Sequence, residues 1–167
     1  MKRSLITLTC LCAFLTFSFA QKITEGSLKP LVDYGKAKVV LNFNDALIHG
    51  MTVNDFADYE KDWYVDQPII WRKFISGMVK KCNSIRLGNE IDAEIYITVN
   101  VLSVSTKGDY KCEVFITNSQ GDKIACISGL NARGGTFGSK LNLIKDGAEH
   151  TGVLLGKFLE RSIKKYK

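Results

Sequence analysis

Three apolar runs between residues 92 and 131 constrain the fold more than any other feature of this sequence. In each run apolar side chains alternate with polar ones, which is the period of a strand with one buried face. The positions on the shared apolar face are Ile95, Ile97, Val99, Val101, Cys112, Val114, Ile116, Ala125 and Ile127. Residues 106–109 and 119–122 separate the runs, and each segment has glycine where tight hairpins prefer it. The region is predicted to form a three-stranded antiparallel meander.

Two-residue loops at both turns predict a definite register. In the first hairpin Val99 lies opposite Ile116, and in the second hairpin Val114 lies opposite Ile127. The apolar faces coincide in both hairpins, whereas a slip of one residue would turn one of them outward.

The same register separates two of the three cysteines that follow residue 20. Cys112 is predicted to lie opposite Gly129 on the apolar face, and Cys126 opposite Phe115 on the other face. Because side chains on opposite faces of a sheet cannot reach disulfide distance, we expect both to be free thiols.

A strand and a helix are predicted before the meander. Residues 36–44 alternate as a strand does, and residues 45–65 have the composition of a polar, aromatic-rich connection. The helix is predicted to open at Asp66, with Pro68 in its first turn, and to end near Cys82.

A glycine-rich turn over residues 133–139 precedes a long amphipathic helix that is predicted to run to about Lys164. Gly147, Gly152 and Gly156 would each weaken an isolated helix by about 1 kcal/mol relative to alanine. We therefore expect the helix backbone to pack closely on the sheet at these positions.

The predicted fold class is α+β, with two layers. A mostly antiparallel sheet of four to five strands, one of them a short strand over residues 85–87, has both helices on one face. Residues 21–35 are predicted to be an extended N-terminal segment, and residues 36–167 a single α+β domain.

Residues 1–20 have the pattern of a cleavable secretory signal peptide. Two basic residues precede an apolar stretch over residues 5–17, and Ser18 and Ala20 supply the small residues of a cleavage site before Gln21. The other interpretation is an uncleaved N-terminal anchor. Cleavage predicts an exported protein that is periplasmic or extracellular.

The charge and the motifs exclude several function classes. The formal net charge falls from +6 to +4 when the two basic residues of the leader are removed, which is too mild for nucleic-acid binding. The turn over residues 133–139 lacks the frame of a phosphate-binding loop, and the acidic run over residues 55–66 lacks the glycine of a calcium loop. His49 and His150 are not spaced as metal ligands. The sequence thus predicts no metal, no cofactor and no catalytic residue, which favours a protein that is not an enzyme.

Two other functions stay open. One is an enzyme whose site lies between the 45–65 segment and the 133–139 turn. The other is peripheral binding to anionic membranes through the basic residues of the C-terminal helix, between residues 157 and 167.

The face of the meander opposite the core is the candidate binding face. It is predicted to present Tyr96, Phe115, Cys126 and Leu130, which is more apolar than a solvated face requires. Either the 45–65 segment covers this face, or the face contacts another protein or a second copy of this chain.

The order of these segments resembles a group of exported bacterial domains. The segments that carry the resemblance are Lys-Val-Val-Leu-Asn-Phe at residues 38–43, Asp-Ala-Glu-Ile-Tyr-Ile-Thr-Val at 92–99, Gly-Asp-Lys-Ile-Ala at 121–125 and the glycine pair at 134–135. These domains in turn are similar to the periplasmic domains of the curli-secretion lipoprotein and of the penicillin-binding-protein activator lipoproteins. The resemblance implies a non-catalytic binding or assembly module of the bacterial cell envelope, but this chain lacks their lipid-attachment cysteine.

Overall fold

The computed structural model describes residues 21–167, and the predicted signal peptide lies outside the described residues. The strands are β1 (Lys22–Gly26), β2 (Lys36–Asn42), β3 (Leu47–Ile48), β4 (Arg86–Gly88), β5 (Ile95–Val104), β6 (Tyr110–Asn118) and β7 (Lys123–Ala132). The helices are α1 (Lys29–Tyr34), α2 (Val53–Tyr59), α3 (Trp63–Val79) and α4 (Lys140–Ile163), followed by a 3₁₀ turn at Lys164–Tyr166.

The predicted α+β class and the largely antiparallel sheet are confirmed, but the sheet has more strands than predicted. Its order is β1-β7-β6-β5-β2-β4, and β3 pairs with the end of β5. The meander and β1 are antiparallel, whereas β2 pairs in parallel with both β5 and β4. The additional strands β1 and β3 come from segments predicted to be extended or connecting. β1 is short and mostly exposed, and β3 has only two residues, so neither has the alternating pattern that reveals a half-buried strand.

The predicted register of the second hairpin is confirmed from Val114 to Ile116 and wrong at Cys112, which lies opposite Leu130 and not opposite Gly129. The predicted register of the first hairpin is wrong by two residues. Val114 lies opposite Ile127, but Val99 lies opposite Val114 and not opposite Ile116. Two changes of one residue each produce this offset. Ser105 and Asp109 close the turn around three residues, with Gly108 at a φ of +77°, and β5 has one extra residue between Val101 and Ser103. An offset of two residues keeps every side chain on its face, so the apolar side is preserved.

A second irregularity moves Leu130 to the other face of the sheet. One extra residue in β7 between Ile127 and Leu130, where Gly129 has a φ of +78°, places Leu130 opposite Cys112. Leu130 is fully buried, so its predicted position on the outer face is wrong. Cys112 and Cys126 do lie on opposite faces, and the thiols of both are free.

Helix α3 begins one turn earlier than predicted. It starts at Trp63, which is fully buried, and Pro68 lies inside the helix and not in its first turn. The proline removes one backbone hydrogen bond, a cost that burial of the Trp63 indole offsets. The side chains of Asp66 in α3 and Lys145 in α4 form an ion pair of 2.7 Å between the two helices.

The glycines of α4 were predicted to pack on the sheet, but they contact helix α3 and the β5–β6 hairpin. A Cβ atom at Gly152 or Gly156 would collide with the backbone of α3, at Phe74 and Met78 respectively. A Cβ at Gly147 would collide with the β5–β6 hairpin at Gly108. Close backbone approach was therefore predicted correctly, but its main partner is the neighbouring helix.

The stability of the fold is expected to fall in acid through Glu160. Its carboxylate accepts the N–H groups of Asn83 and Ser84, both at 2.9 Å, and pairs with Lys164 at 3.1 Å. Burial raises the pKa of Glu160, but these bonds outweigh burial and hold the pKa at about 2. Because the folded-state pKa lies below the ordinary value of 4.5, the stabilisation is complete above that value and is lost as the pH falls toward 2. Glu160→Gln should lower the free energy of unfolding by about 2 kcal/mol at neutral pH.

Urea unfolding of both proteins across the acidic range measures this effect. The difference in unfolding free energy between wild type and Glu160→Gln should shrink as the pH falls below 4.5. A difference that stays constant down to pH 2 would contradict the assigned role of the carboxylate.

Candidate binding face of the sheet

All four helices pack on one side of the sheet, which leaves the other side open within the described chain. Helices α3 and α4 pack on each other and contact β4, β6 and β7, while α1 contacts α4 and α2 contacts α3. The side chains that β2, β5, β6 and β7 direct away from the helices are half-exposed or exposed. The open face is therefore a regular surface on which this fold can bind a partner.

A row of four side chains crosses the middle of the open face. Val40, Thr98, Phe115 and Cys126 occupy directly opposed positions on β2, β5, β6 and β7, and we call them the central row. Neighbouring strands lie about 4.8 Å apart, so these side chains contact one another in sequence. Three of the four are apolar, and Val40 is 37% exposed.

Polar rows border the central row on both sides. The lysine row consists of Lys38, Tyr96, Thr117 and Lys123, and the asparagine row consists of Asn42, Asn100 and Glu113. The ammonium group of Lys38 lies 6.0 Å from the ring centroid of Tyr96, and the Asn42 amide donates to the Asn100 side-chain oxygen at 3.1 Å. An apolar centre within a polar border is the usual anatomy of a protein-binding surface.

The structure brings together three of the four residues predicted for this face. Tyr96, Phe115 and Cys126 lie on it, half-exposed, whereas Leu130 is in the core. Val40 was not predicted on this face, because the parallel pairing of β2 with β5 joins strands more than fifty residues apart. A signal was present, since Val40 interrupts the polar side of an otherwise alternating strand.

The 45–65 segment does not cover the open face. Its Phe56 and Trp63 are fully buried in the core, with ring centroids 5.3 Å apart, and Trp63 also contacts Phe43 at 5.5 Å. The segment therefore closes one end of the space between the sheet and the helices. Of the two alternatives for the open face, coverage by this segment is wrong.

The end of the domain proposed for an enzyme site has polar groups that hold the fold together. The 45–65 segment meets the residues after the glycine-rich turn, because the ammonium group of Lys140 donates to the Tyr59 hydroxyl and lies over its ring. Asp109 accepts the Ser105 hydroxyl at 2.9 Å and the Gly134 N–H at 2.8 Å. The Gly134 N–H is the main reason that the pKa of Asp109 is lowered, so this carboxylate joins the hairpin to the turn.

Groups suited to nucleophilic catalysis are not assembled in residues 21–167. A cavity of about 350 Å³ at this end is lined by His49, Ser103 and Asp109, but neither histidine of the described chain hydrogen-bonds to a hydroxyl or thiol. Burial raises the pKa of the Cys82 thiol to about 11 and that of Cys112 to about 12. Both thiols are therefore protonated at neutral pH, and neither is a thiolate nucleophile.

Residues 21–167 contain neither a cluster suited to metal binding nor a helix suited to crossing a membrane. No group of three or more histidine, cysteine, aspartate or glutamate side chains between residues 21 and 167 is placed to hold a metal ion. In the same part of the chain, no helix has the length and apolar character needed to cross a bilayer.

Comparison with known proteins gives a distant likeness in shape. No family model matches the chain, and no curated protein does so either. The PelC dodecamer from Paraburkholderia phytofirmans is similar at a TM-score of 0.44 and 11% sequence identity, covering 84% of this chain and 96% of that one. A single-substitution variant of that dodecamer is similar at a TM-score of 0.40 and 13% identity, with the same coverage. At these scores nothing about activity, partners or assembly follows from the likeness.

Proposed function

We propose that this chain is an exported, non-catalytic binding or assembly module of the bacterial cell envelope, and that its open sheet face associates with a second copy of the chain. The observation that carries the proposal is the central row of Val40, Thr98, Phe115 and Cys126 on a face that no other described element covers. The signal-peptide pattern and the resemblance to exported envelope domains support the cellular location.

A second copy fits the open face because the face is complementary to itself. If a twofold axis runs along the central row, each side chain of that row meets its own counterpart, as in an isologous dimer. The lysine row of one copy then faces the asparagine row of the other, so Lys38 approaches Asn42 and the lysines of the two copies stay apart. Two sheets packed face to face with nearly aligned strands form a familiar sandwich interface.

Phe115→Lys should convert the dimer into a monomer while leaving the fold intact. Phe115 is the largest side chain of the central row, and a lysine there would place two ammonium groups against each other at the interface. The mass in solution is measured by light scattering over a range of protein concentrations, on protein recovered from the periplasmic fraction. A reductant is present, so that a disulfide through Cys126 cannot cause the association.

The matched control is Phe137→Lys, the same substitution at an 87% exposed phenylalanine of the glycine-rich turn. This variant should remain dimeric, and both variants should keep the circular dichroism and Tm of the wild type. A wild type that stays monomeric at every concentration, or a Phe115→Lys variant that still dimerises, would overturn the proposed interface. Protein that never reaches the periplasmic fraction would overturn the envelope location.

A further inference from the structure

A groove runs between helix α4 and strand β7, at the edge of the sheet and away from the central row. Two cavities of about 460 and 400 Å³ share Asn131 and Leu154 as lining residues, so they form one continuous depression. The groove follows β7 from Gly129 to Arg133. Helix α4 runs antiparallel to β7 here, so Arg161 lies at the Gly129 end of the groove and His150 lies at the Arg133 end. It is therefore long and narrow, and its shape suits an extended chain.

The rim of this groove carries positive charge that no carboxylate neutralises. Exposed Arg133, Lys157, Arg161 and Lys165 line it, and no aspartate or glutamate does. Within residues 21–167 none of these four cations forms an ion pair.

Two of the three carboxylates of α4 form ion pairs outside the groove, and the third, Asp146, does not line it. Glu149 pairs with Lys73 at 3.0 Å and Lys80 at 3.1 Å on α3, and Glu160 pairs with Lys164. Helix α4 thus directs Glu149 toward α3, and it directs Lys157 and Arg161 toward the groove. An anionic occupant is what this arrangement of charge favours.

The groove also has an apolar floor and, along β7, an unpaired strand edge within the described chain. Leu154 and Phe158 of α4 supply an apolar floor. Strand β1 pairs with β7 only from Ala125 to Ser128, so within the described chain residues 129–132 of β7 have one backbone edge without a partner strand. A free strand edge beside a groove is the structural requirement for binding a peptide by strand addition.

We infer that this groove binds an extended acidic peptide, which adds a strand beside β7 in line with β1. Lys157 and Arg161 are four residues apart on α4, which corresponds to a step of about 6 Å along the helix, and Lys165 follows in the 3₁₀ turn. Side chains on one face of a strand recur every two residues, in steps of about 6.6 Å. A peptide with acidic residues at alternate positions therefore matches the cations in register, and its glutamate methylenes lie on Leu154 and Phe158.

This inference is independent of the proposed dimer, because the two surfaces use different residues. Phe115→Lys and the groove variants can be measured separately. Failure of one proposal leaves the other intact.

The test uses the mature chain and a fluorescein-labelled peptide of alternating glutamate and valine, with binding followed by fluorescence anisotropy. Lys157→Glu/Arg161→Glu should raise the Kd at least about tenfold, since two attractive contacts become repulsive. Lys61→Glu/Lys81→Glu changes the net charge equally at exposed lysines outside the groove lining and should leave the Kd unchanged. Peptide binding should also slow hydrogen exchange of the amides of residues 129–132.

Two altered peptides separate strand addition from charge attraction alone. The first has the same composition in two blocks, which removes the alternation. The second has every backbone nitrogen N-methylated, which keeps the side-chain charge but removes all backbone hydrogen-bond donors. Both should bind at least about tenfold more weakly than the alternating peptide. Equal binding of either altered peptide would overturn the inference.

Phosphatidylglycerol vesicles test the other anionic occupant. Vesicles that bind through Lys157 and Arg161, with no binding of the alternating peptide, would overturn the inference in favour of a membrane surface. No binding of either probe would also overturn it.

Discussion

Gly152→Val is expected to destabilise the domain by about 3 kcal/mol or more, through a clash that no side-chain movement relieves. A Cβ atom at Gly152 falls well inside van der Waals distance of the carbonyl oxygen of Phe74, and it lies 2.9 Å from the backbone nitrogen of Met78. Gly77 of α3 makes a reciprocal close approach to α4 at Glu149. Because each helix meets backbone on the other, one of them must move away, and the core beneath both would open.

Two comparison variants make this prediction specific. Gly152→Ala should also lower the free energy of unfolding, although Gly→Ala at an exposed helix position raises it by about 1 kcal/mol. Lys157→Val, at an exposed position on the same helix, should cost less than about 1 kcal/mol. The measurement is urea unfolding followed by circular dichroism. A Gly152→Ala variant more stable than the wild type would contradict the helix contact.

Trp63→Ala is expected to cost about 3–5 kcal/mol, the usual range for removing a large aromatic side chain from a core. Trp63 is completely buried and packs edge-on against Phe43 and Phe56. It anchors the start of α3 and closes the end of the core where α2 joins the helix layer. Its loss would leave a cavity lined by aromatic rings that belong to different elements.

The controls for Trp63 lie at the same place in the chain. Tyr64→Ala removes an aromatic side chain that is 60% exposed, and it should change the free energy of unfolding by less than about 1 kcal/mol. Trp63→Phe should cost less than Trp63→Ala, because phenylalanine fills much of the volume and removes an indole N–H that has no hydrogen-bond partner in the described chain. Equal stability of Trp63→Ala and Tyr64→Ala would show that the 45–65 segment is not part of the core.

The candidate binding face shows which side-chain positions the local sequence pattern predicts and which it does not. The alternation in β5, β6 and β7 placed Tyr96, Phe115 and Cys126 on one face. The turn between β6 and β7 encloses three residues and not two, but a register shift between Ile116 and Thr117 restores the predicted pairing of Phe115 with Cys126. Leu130 was assigned to the wrong face because one extra residue in β7 reverses the alternation after Gly129. A glycine in a strand is a known sign of such a bulge, but its presence does not tell which way the strand continues.

The cationic groove was beyond the reach of sequence analysis for a different reason. The basic residues near the end of α4 were visible, and they suggested a membrane surface. Their position beside residues 129–132 depends on how far β1 extends along β7, and these strands are about a hundred residues apart in the chain. Which side of α4 faces α3 and which faces β7 also depends on packing, since both sides of the helix carry charge.

The sequence alone determined the elements whose signal is local: the alternating strands, the glycine turns, the two long helices and the single apolar side of the meander. These depend on side-chain period and turn chemistry within some ten residues, and each run of residues carries that information by itself. Only the tertiary structure decided the pairing of β1 with β7 and of β2 with β5, the contact of the α4 glycines with α3, and the open face of the sheet. Those contacts join residues far apart in the chain. Their free energy depends on the shapes of both partners, and the sequence of one segment does not specify the shape of the other.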